Sequence, residues 1–227
     1  MTEKEEKTKN EDINLTDDRA FPETDVILVV EDQKIHVNKA VLSQHSPVFD
    51  TMFKSHFTER TAKEIPLVEK KADDVVEFLR CFYPNMKHPL TAENVLQVLP
   101  LAHEYQSPLV TDCEDFMIKL CAPNKRLTVN KLLDYILAGE KYGLTRFLEA
   151  AVEFCANIDF DLLNGKSYNS DDFDFDSDEE NEDKDISLKF SMIGLKTQYS
   201  ISKKRLQRME RCKRKSCKVK DYTIALS

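Results

Sequence analysis

The residues from Asp25 to Phe53 constrain this chain most, because three local patterns follow one another there in a fixed order. Val26-Ile27-Leu28-Val29-Val30 is a short unbroken apolar run rich in β-branched side chains, the pattern of a strand buried on both faces. Glu31-Asp32-Gln33-Lys34 interrupts it, and Ile35-His36-Val37 resumes a strand pattern, so the two segments read as a hairpin without an Asn-Gly or Asp-Gly turn. From Lys39 the period becomes helical, and Ser46-Pro47 supplies an N-cap followed by proline at a first helical position. The next helix sets Val48, Phe49, Met52 and Phe53 on one face.

The same kind of punctuation continues downstream. Lys63 to Leu67 reads as a short strand, with Pro66 suited to an edge where no ladder N–H is required. Asp73 to Tyr83 reads as a helix ending in an aromatic pair. Within Thr91 to Leu120, Val95, Leu96, Leu99, Ala102 and Tyr105 form an apolar stripe that Pro100 should kink.

The order and spacing of these elements from Phe21 to Cys121 resemble a BTB/POZ domain. The resemblance implies an α+β fold in which a small sheet carries a cluster of helices, and His36 falls where the family carries a structural histidine or a similar residue. BTB domains are dimerising interaction modules, so it also implies a homodimer. The first two helices would lie at its two-fold interface, with Val41, Leu42, Phe49 and Met52 as contacts. Adaptors that recruit a cullin ubiquitin-ligase scaffold commonly carry a hydrophobic residue, any residue, then glutamate after the helix ending in Met-Phe. Phe57-Thr58-Glu59 follows Met52-Phe53 at the matching place, which implies cullin binding by Phe57 and Glu59. Many full-length relatives place a MATH domain ahead of the BTB domain, and this chain is expected to have no room for one.

Residues 1–20 are charged and sparse in apolar groups, so they are expected to be flexible apart from docking of Ile13 and Leu15. Residues 122–165 read as two amphipathic helices, with Thr128 as N-cap and Gly143 as the stop between them. They resemble the helical pair after the BTB domain in cullin adaptors; alternatively, they cover an apolar end of the domain.

Residues 166–227 change character twice. Asp171 to Asp185 holds ten acids against Lys184, and residues 189–220 hold twelve Lys or Arg against Glu210. Opposed blocks without a periodic apolar face predict a low-order, disordered charged tail. Asp172, Asp174, Asp176 and Asp178 alternate like a calcium loop, but Ser177 stands where the turn needs glycine. Ser177 before Asp178-Glu179-Glu180 suits an acidophilic kinase instead. Lys203, Lys204 and Arg205, then Lys213, Arg214 and Lys215, form two basic clusters that read as a nuclear import signal, a phosphate-binding tail or a solvated helix. Cys212 and Cys217 lack the nearby Cys or His pair that a zinc site requires.

Catalysis is disfavoured. Gly139, Gly143, Gly165 and Gly194 are the sole glycines, too few for a P-loop or dinucleotide fingerprint, and the five histidines have no recognisable nucleophile or metal set. No cofactor, metal or small-molecule substrate is expected, nor nucleic acid except through the basic tail. No apolar run is long enough to span a membrane, which also disfavours a voltage-gated-channel assembly domain. The polar start Met1-Thr2-Glu3-Lys4 argues against a secretory signal, so the expected location is nucleus and/or cytoplasm. Cys81, Cys113, Cys121 and Cys155 in apolar helical surroundings are read as reduced, buried thiols. Three functions remain open: a cullin adaptor, a nuclear BTB scaffold or transcriptional co-regulator using the basic tail, and a dimerisation partner for longer BTB proteins.

Overall fold

In the computed structural model, residues 13–14, 24–54, 62–84, 86–122, 127–163 and 177–224 are described, without side chains at 13–14, 177–183 and 214–224. Two compact units divide the chain, Met1–Phe116 and Met117–Ser227.

In the first unit, strands β2 (Val26–Val30) and β3 (Gln33–Val37) pair antiparallel, with Val26 opposite Val37 and Val30 opposite Gln33. The hairpin is tighter than the four polar residues suggested, since Gln33 and Lys34 belong to the strand. Its loop is Glu31-Asp32, and Glu31 takes the left-handed φ of 53° that such loops demand. β4 (Glu64–Pro66) adds parallel to β2 at the edge, placing Pro66 where the sequence put it. A two-residue strand β1 (Ile13–Asn14) pairs parallel with β3, with Ile13 at the docking position that was expected of it. Val26, Leu28 and Val30 are buried while Ile27 and Val29 are half-covered, so β2 buries one face fully rather than both.

Helix α1 (Lys39–His45) starts at Asn38, whose side-chain oxygen accepts from the Ala40 and Val41 N–H groups, a cap worth about 1 kcal/mol. Helix α2 (Pro47–Lys54) starts as expected: the Ser46 hydroxyl accepts from Phe49 N–H and donates to the Tyr105 carbonyl. Helix α3 (Ala72–Phe82) has no cap from its own preceding residue; Glu31, on the hairpin loop, accepts from Ala72 N–H at 3.0 Å instead. Helix α4 (Val95–Glu104) contains Pro100, and α5 (Leu109–Leu120) contains the division between the units.

The core of the first unit is aromatic. Phe49 stacks on Tyr105 at 4.5 Å between ring centres and on Phe53 at 5.9 Å. Phe78 meets Tyr105 and Phe82, and the His45 ring lies over Phe82 at 4.7 Å. Such contacts add about 0.5–1.5 kcal/mol per pair beyond the area they bury.

The second unit begins with α6 (Val129–Tyr142), capped by the Thr128 hydroxyl, and α7 (Thr145–Cys155). Gly143 between them sits at φ 69°, and Leu144 N–H returns to the Gly139 carbonyl, the left-handed stop that glycine permits. Gly139 is required by close approach: a Cβ there would meet the Phe147 ring at 2.8 Å. A short α8 (Phe160–Leu163) follows, then α9 (Ser177–Met192) and α10 (Leu195–Ile224). α9 packs on α6 and α10 on α7. The expectation of a low-order tail is therefore corrected from Lys184 to Arg208, where Ile193 and Ile201 are buried and side chains from α6 and α7 hold the helices. Residues 164–176 lie outside the described residues.

Candidate interaction surfaces

The residues proposed from sequence as dimer contacts occupy a different place. Val41, Leu42 and Phe49 are 4%, 0% and 1% exposed, so they are core residues and have no surface left for a partner. Helix periodicity identified their apolar face correctly, but that face turns inward to the core, where Phe49 joins the aromatic cluster. Met52 and Val48 are half-buried, and Ala40, Gln44, Pro47, Thr51 and Lys54 are exposed; Met52 and Val48 are the large apolar side chains that the α1–α2 pair leaves partly to solvent. Phe57 and Glu59 lie outside the described residues, just beyond the end of α2 at Lys54.

Asn38 and Tyr83 join the first helix to the end of α3, the Asn38 N–H donating to the tyrosine oxygen at 2.8 Å. Burial pushes the Tyr83 phenol up, against that hydrogen bond, and Asp25 pushes it further. Glu77 gathers the loop after α3, accepting from Asn94 Nδ2 at 2.7 Å and meeting His88 Nδ1 at 2.8 Å. These networks fix the framework and present no reactive group. Burial lowers the pKa of His45.

In the second unit, charged side chains on α6 and α7 meet their opposites on α9 and α10. Lys189 reaches Asp134 at 2.8 Å and Asp185 at 3.0 Å. Burial pulls this ammonium down, but hydrogen bonds to Asp134 and Asp185 prevail and hold it above its ordinary value. The Glu140 carboxylate accepts from Gly194 N–H at 2.9 Å and from the Thr197 hydroxyl, an anion at the N-terminus of α10. Arg205 does the reverse at the other pole. Its guanidinium donates to the Cys155 and Ile158 carbonyls at the C-terminal end of α7 and lies 5.4 Å from the Phe160 ring centre. Glu153 pairs with Lys204 at 3.0 Å and Arg208 at 2.5 Å, and hydrogen bonds from these two hold its carboxyl below the usual range.

These contacts redistribute the proposed import signal. Arg205 is engaged with α7 and Lys204 with Glu153, whereas Lys203 and Lys213 are exposed; the side chains of Arg214 and Lys215 lie outside the described residues. Ser177 is the first residue of α9, and its side chain is likewise outside them. Reading by composition saw two charge blocks and missed Asn130, Asp134, Glu140 and Glu153, the polar residues opposite them. The available signal was Gly194 between two isoleucines, Ile193 and Ile201, in an otherwise charged stretch.

Among the described residues no cluster of His, Cys, Asp and Glu could hold a metal ion. Burial raises the thiols of Cys81 and Cys121 to about 11 and those of Cys113 and Cys155 to about 12, so they are poor nucleophiles at neutral pH. No described helix is long and apolar enough to cross a membrane.

Fold and comparisons agree on the class. The family profile for the BTB/POZ domain matches residues 19–120. The chain is 37% identical to BTB and MATH domain-containing protein 38 of Caenorhabditis elegans over 118 residues, which is 50% of this chain and 30% of that protein. It is 33% identical to BTB and MATH domain-containing protein 36 of the same organism over 131 residues, 57% of this chain and 38% of that protein. The Kelch repeat and BTB domain-containing protein A55 of vaccinia virus (strain Western Reserve) is 24% identical over 146 residues, 63% of this chain and 24% of that protein. The chain thus spans less than two fifths of the length of these curated relatives. Residues 19–120 are a BTB/POZ domain with a small sheet and mostly helices. BTB domains are interaction modules rather than enzymes, and the chain carries one such protein-interaction module.

Proposed function

We propose that this chain is a dimerising adaptor that recruits a cullin–RING ubiquitin ligase. The observation that carries the reading is positional: α2 spans Pro47–Lys54 in a BTB domain, and Phe57-Thr58-Glu59 follows in the sequence after Ser55 and His56. An aromatic anchor beside one orienting carboxylate is the composition of a small hot spot. α6 and α7 follow the domain, as the resemblance to adaptors requires. Their apolar residues, including Leu132, Ile136 and Phe147, are buried in their own unit, so the cullin contact is assigned to Phe57 and Glu59 alone.

Calorimetry with a purified cullin amino-terminal fragment tests this. Phe57→Ala with Glu59→Ala should weaken binding by about tenfold to a hundredfold, since 1.4 kcal/mol is one decade. No binding by the unaltered chain, or equal binding by the double variant, removes the reading. Self-association is assigned to the part of α1–α2 left at the surface, centred on Met52 and Val48. Met52→Lys should give a folded monomer by sedimentation, and an unaltered chain that is already monomeric at micromolar concentration ends the dimer proposal.

The nuclear-scaffold reading keeps one supporting observation, the exposure of Lys203 and Lys213 on α10. Location in nucleus and/or cytoplasm belongs to these proposals. Imaging the tagged full chain with and without Lys203→Ala and Lys213→Ala checks it, and an unchanged distribution removes an import role for that pair.

A further inference from the structure

α10 presents two different faces. Thr197, Ile201 and Arg205 turn into the unit, where they meet α6, α7 and the end of α7. Roughly 120° around the helix from Ile201, a second set of apolar side chains faces outward. Leu195, Tyr199, Leu206 and Met209 are 83%, 66%, 61% and 58% exposed. With exposed Ser202 between Tyr199 and Leu206, they recur at alternating steps of four and three residues, the rhythm of a helix–helix seam. One apolar side chain in water is ordinary, but four in register on one helix are a surface without its cover.

The charge around the seam selects the cover. Between Leu195 and Lys213 the chain carries seven Lys or Arg against the single acid Glu210. Lys204, Arg205 and Arg208 are occupied by Glu153 and by carbonyls at the end of α7. Lys196 and Lys203 are exposed and border one side of the seam.

We propose that the outer face of α10 is a docking surface for an acidic amphipathic helix of another protein, with apolar residues at alternating four and three spacing and Asp or Glu beside them. Burial of the seam supplies affinity, while the lysines set orientation and encounter rate. A second copy of α10 fits poorly, because pairing the same seam brings Lys196 and Lys203 against their own kind. The chain's own acidic segment fits poorly too: Phe173 and Phe175 alternate with aspartates at a period of two, which cannot line a helical seam.

The test is fluorescence anisotropy of the full chain with a labelled designed helix about three heptads long, carrying leucine at the seam positions and glutamate on the flanks. Saturable binding is expected. Leu195→Ser with Leu206→Ser should weaken it by about tenfold or more, and Lys196→Glu with Lys203→Glu by about threefold to tenfold. All four positions are exposed, so native circular dichroism should be retained. A control helix with lysine replacing each glutamate should bind at least about tenfold more weakly. Absence of saturable binding overturns the proposal, as does equal binding by the leucine variant or equal binding of the lysine control. If sedimentation shows that the full chain self-associates and that the leucine variant abolishes this, the surface belongs to a second copy and the proposal fails.

Discussion

The two units are held by different kinds of interaction. In the BTB unit, Phe49, Phe53, Phe78, Phe82 and Tyr105 form one contiguous ring cluster, reinforced by the buried Ser46 hydroxyl. In the second unit, α9 and α10 bury Ile193 and Ile201 and set Phe190 edge-on against Phe160, and much of their remaining attachment is polar: Lys189, Glu140, Arg205 and Glu153. Ring burial is insensitive to ionic strength, whereas exposed ion pairs weaken as salt is raised and the Debye length shrinks from about 10 Å at 0.1 M. The BTB unit should therefore be the stable part and the α9–α10 attachment the conditional part.

The largest expected effect is on the ring cluster. Phe49→Ala removes the ring between Phe53 and Tyr105 and should cost the first unit about 3–5 kcal/mol in urea denaturation. A loss below about 1 kcal/mol would show that the stack is not what holds that unit. Ile201→Ala comes next, at about 2–4 kcal/mol, and should appear in hydrogen exchange as lost protection along α10 with β2 and β3 unchanged. Equal loss in both units would erase the distinction.

Gly139→Ala should have a smaller effect. The new methyl forces the Phe147 ring aside, at about 1–3 kcal/mol, while better helix propensity returns about 1 kcal/mol. Thermal melting should therefore drop by a few degrees at most.

Glu153→Gln is expected to be the smallest change, below about 1 kcal/mol, because the carboxylate is half-exposed. Its signature is pH and salt dependence. Glu153 sits below its ordinary 4.5 in the folded chain, so its contribution is present above that value and is lost as pH falls through the lower folded one. Asp185, lowered through its hydrogen bond to Lys189, acts in the same direction. Protection of α10 should thus decline in acid, less steeply in Glu153→Gln, and decline as salt is raised. Protection indifferent to both would mean that Ile193 and Ile201 suffice.

Much of the BTB unit was legible in the sequence because its determinants are local. The Ser46-Pro47 start and the edge position of Pro66, like the Gly143 stop in the second unit, each depend on a residue's own backbone preference, and each stands where that preference puts it. Periodicity also identified the apolar faces of α1 and α2. It could not say that Val41, Leu42 and Phe49 point to the core rather than to a partner, because either destination requires the same pattern. The Glu31 cap on α3 was illegible for another reason: forty-one residues separate donor and acceptor.

The charged tail shows the same division most sharply. Sequence alone determined the BTB/POZ fold of residues 19–120, the helical pair after it and the opposed signs of the final blocks. Tertiary structure alone decided that α9 and α10 are docked helices, because the carboxylates that answer them stand well over forty residues earlier: Asp134 and Glu153 meet basic side chains, and Glu140 meets the Gly194 N–H and the Thr197 hydroxyl. Composition records how much charge a segment carries. Whether that charge remains solvated or holds a helix in place depends on what folding brings within hydrogen-bonding distance, because the attraction becomes appreciable only at that range.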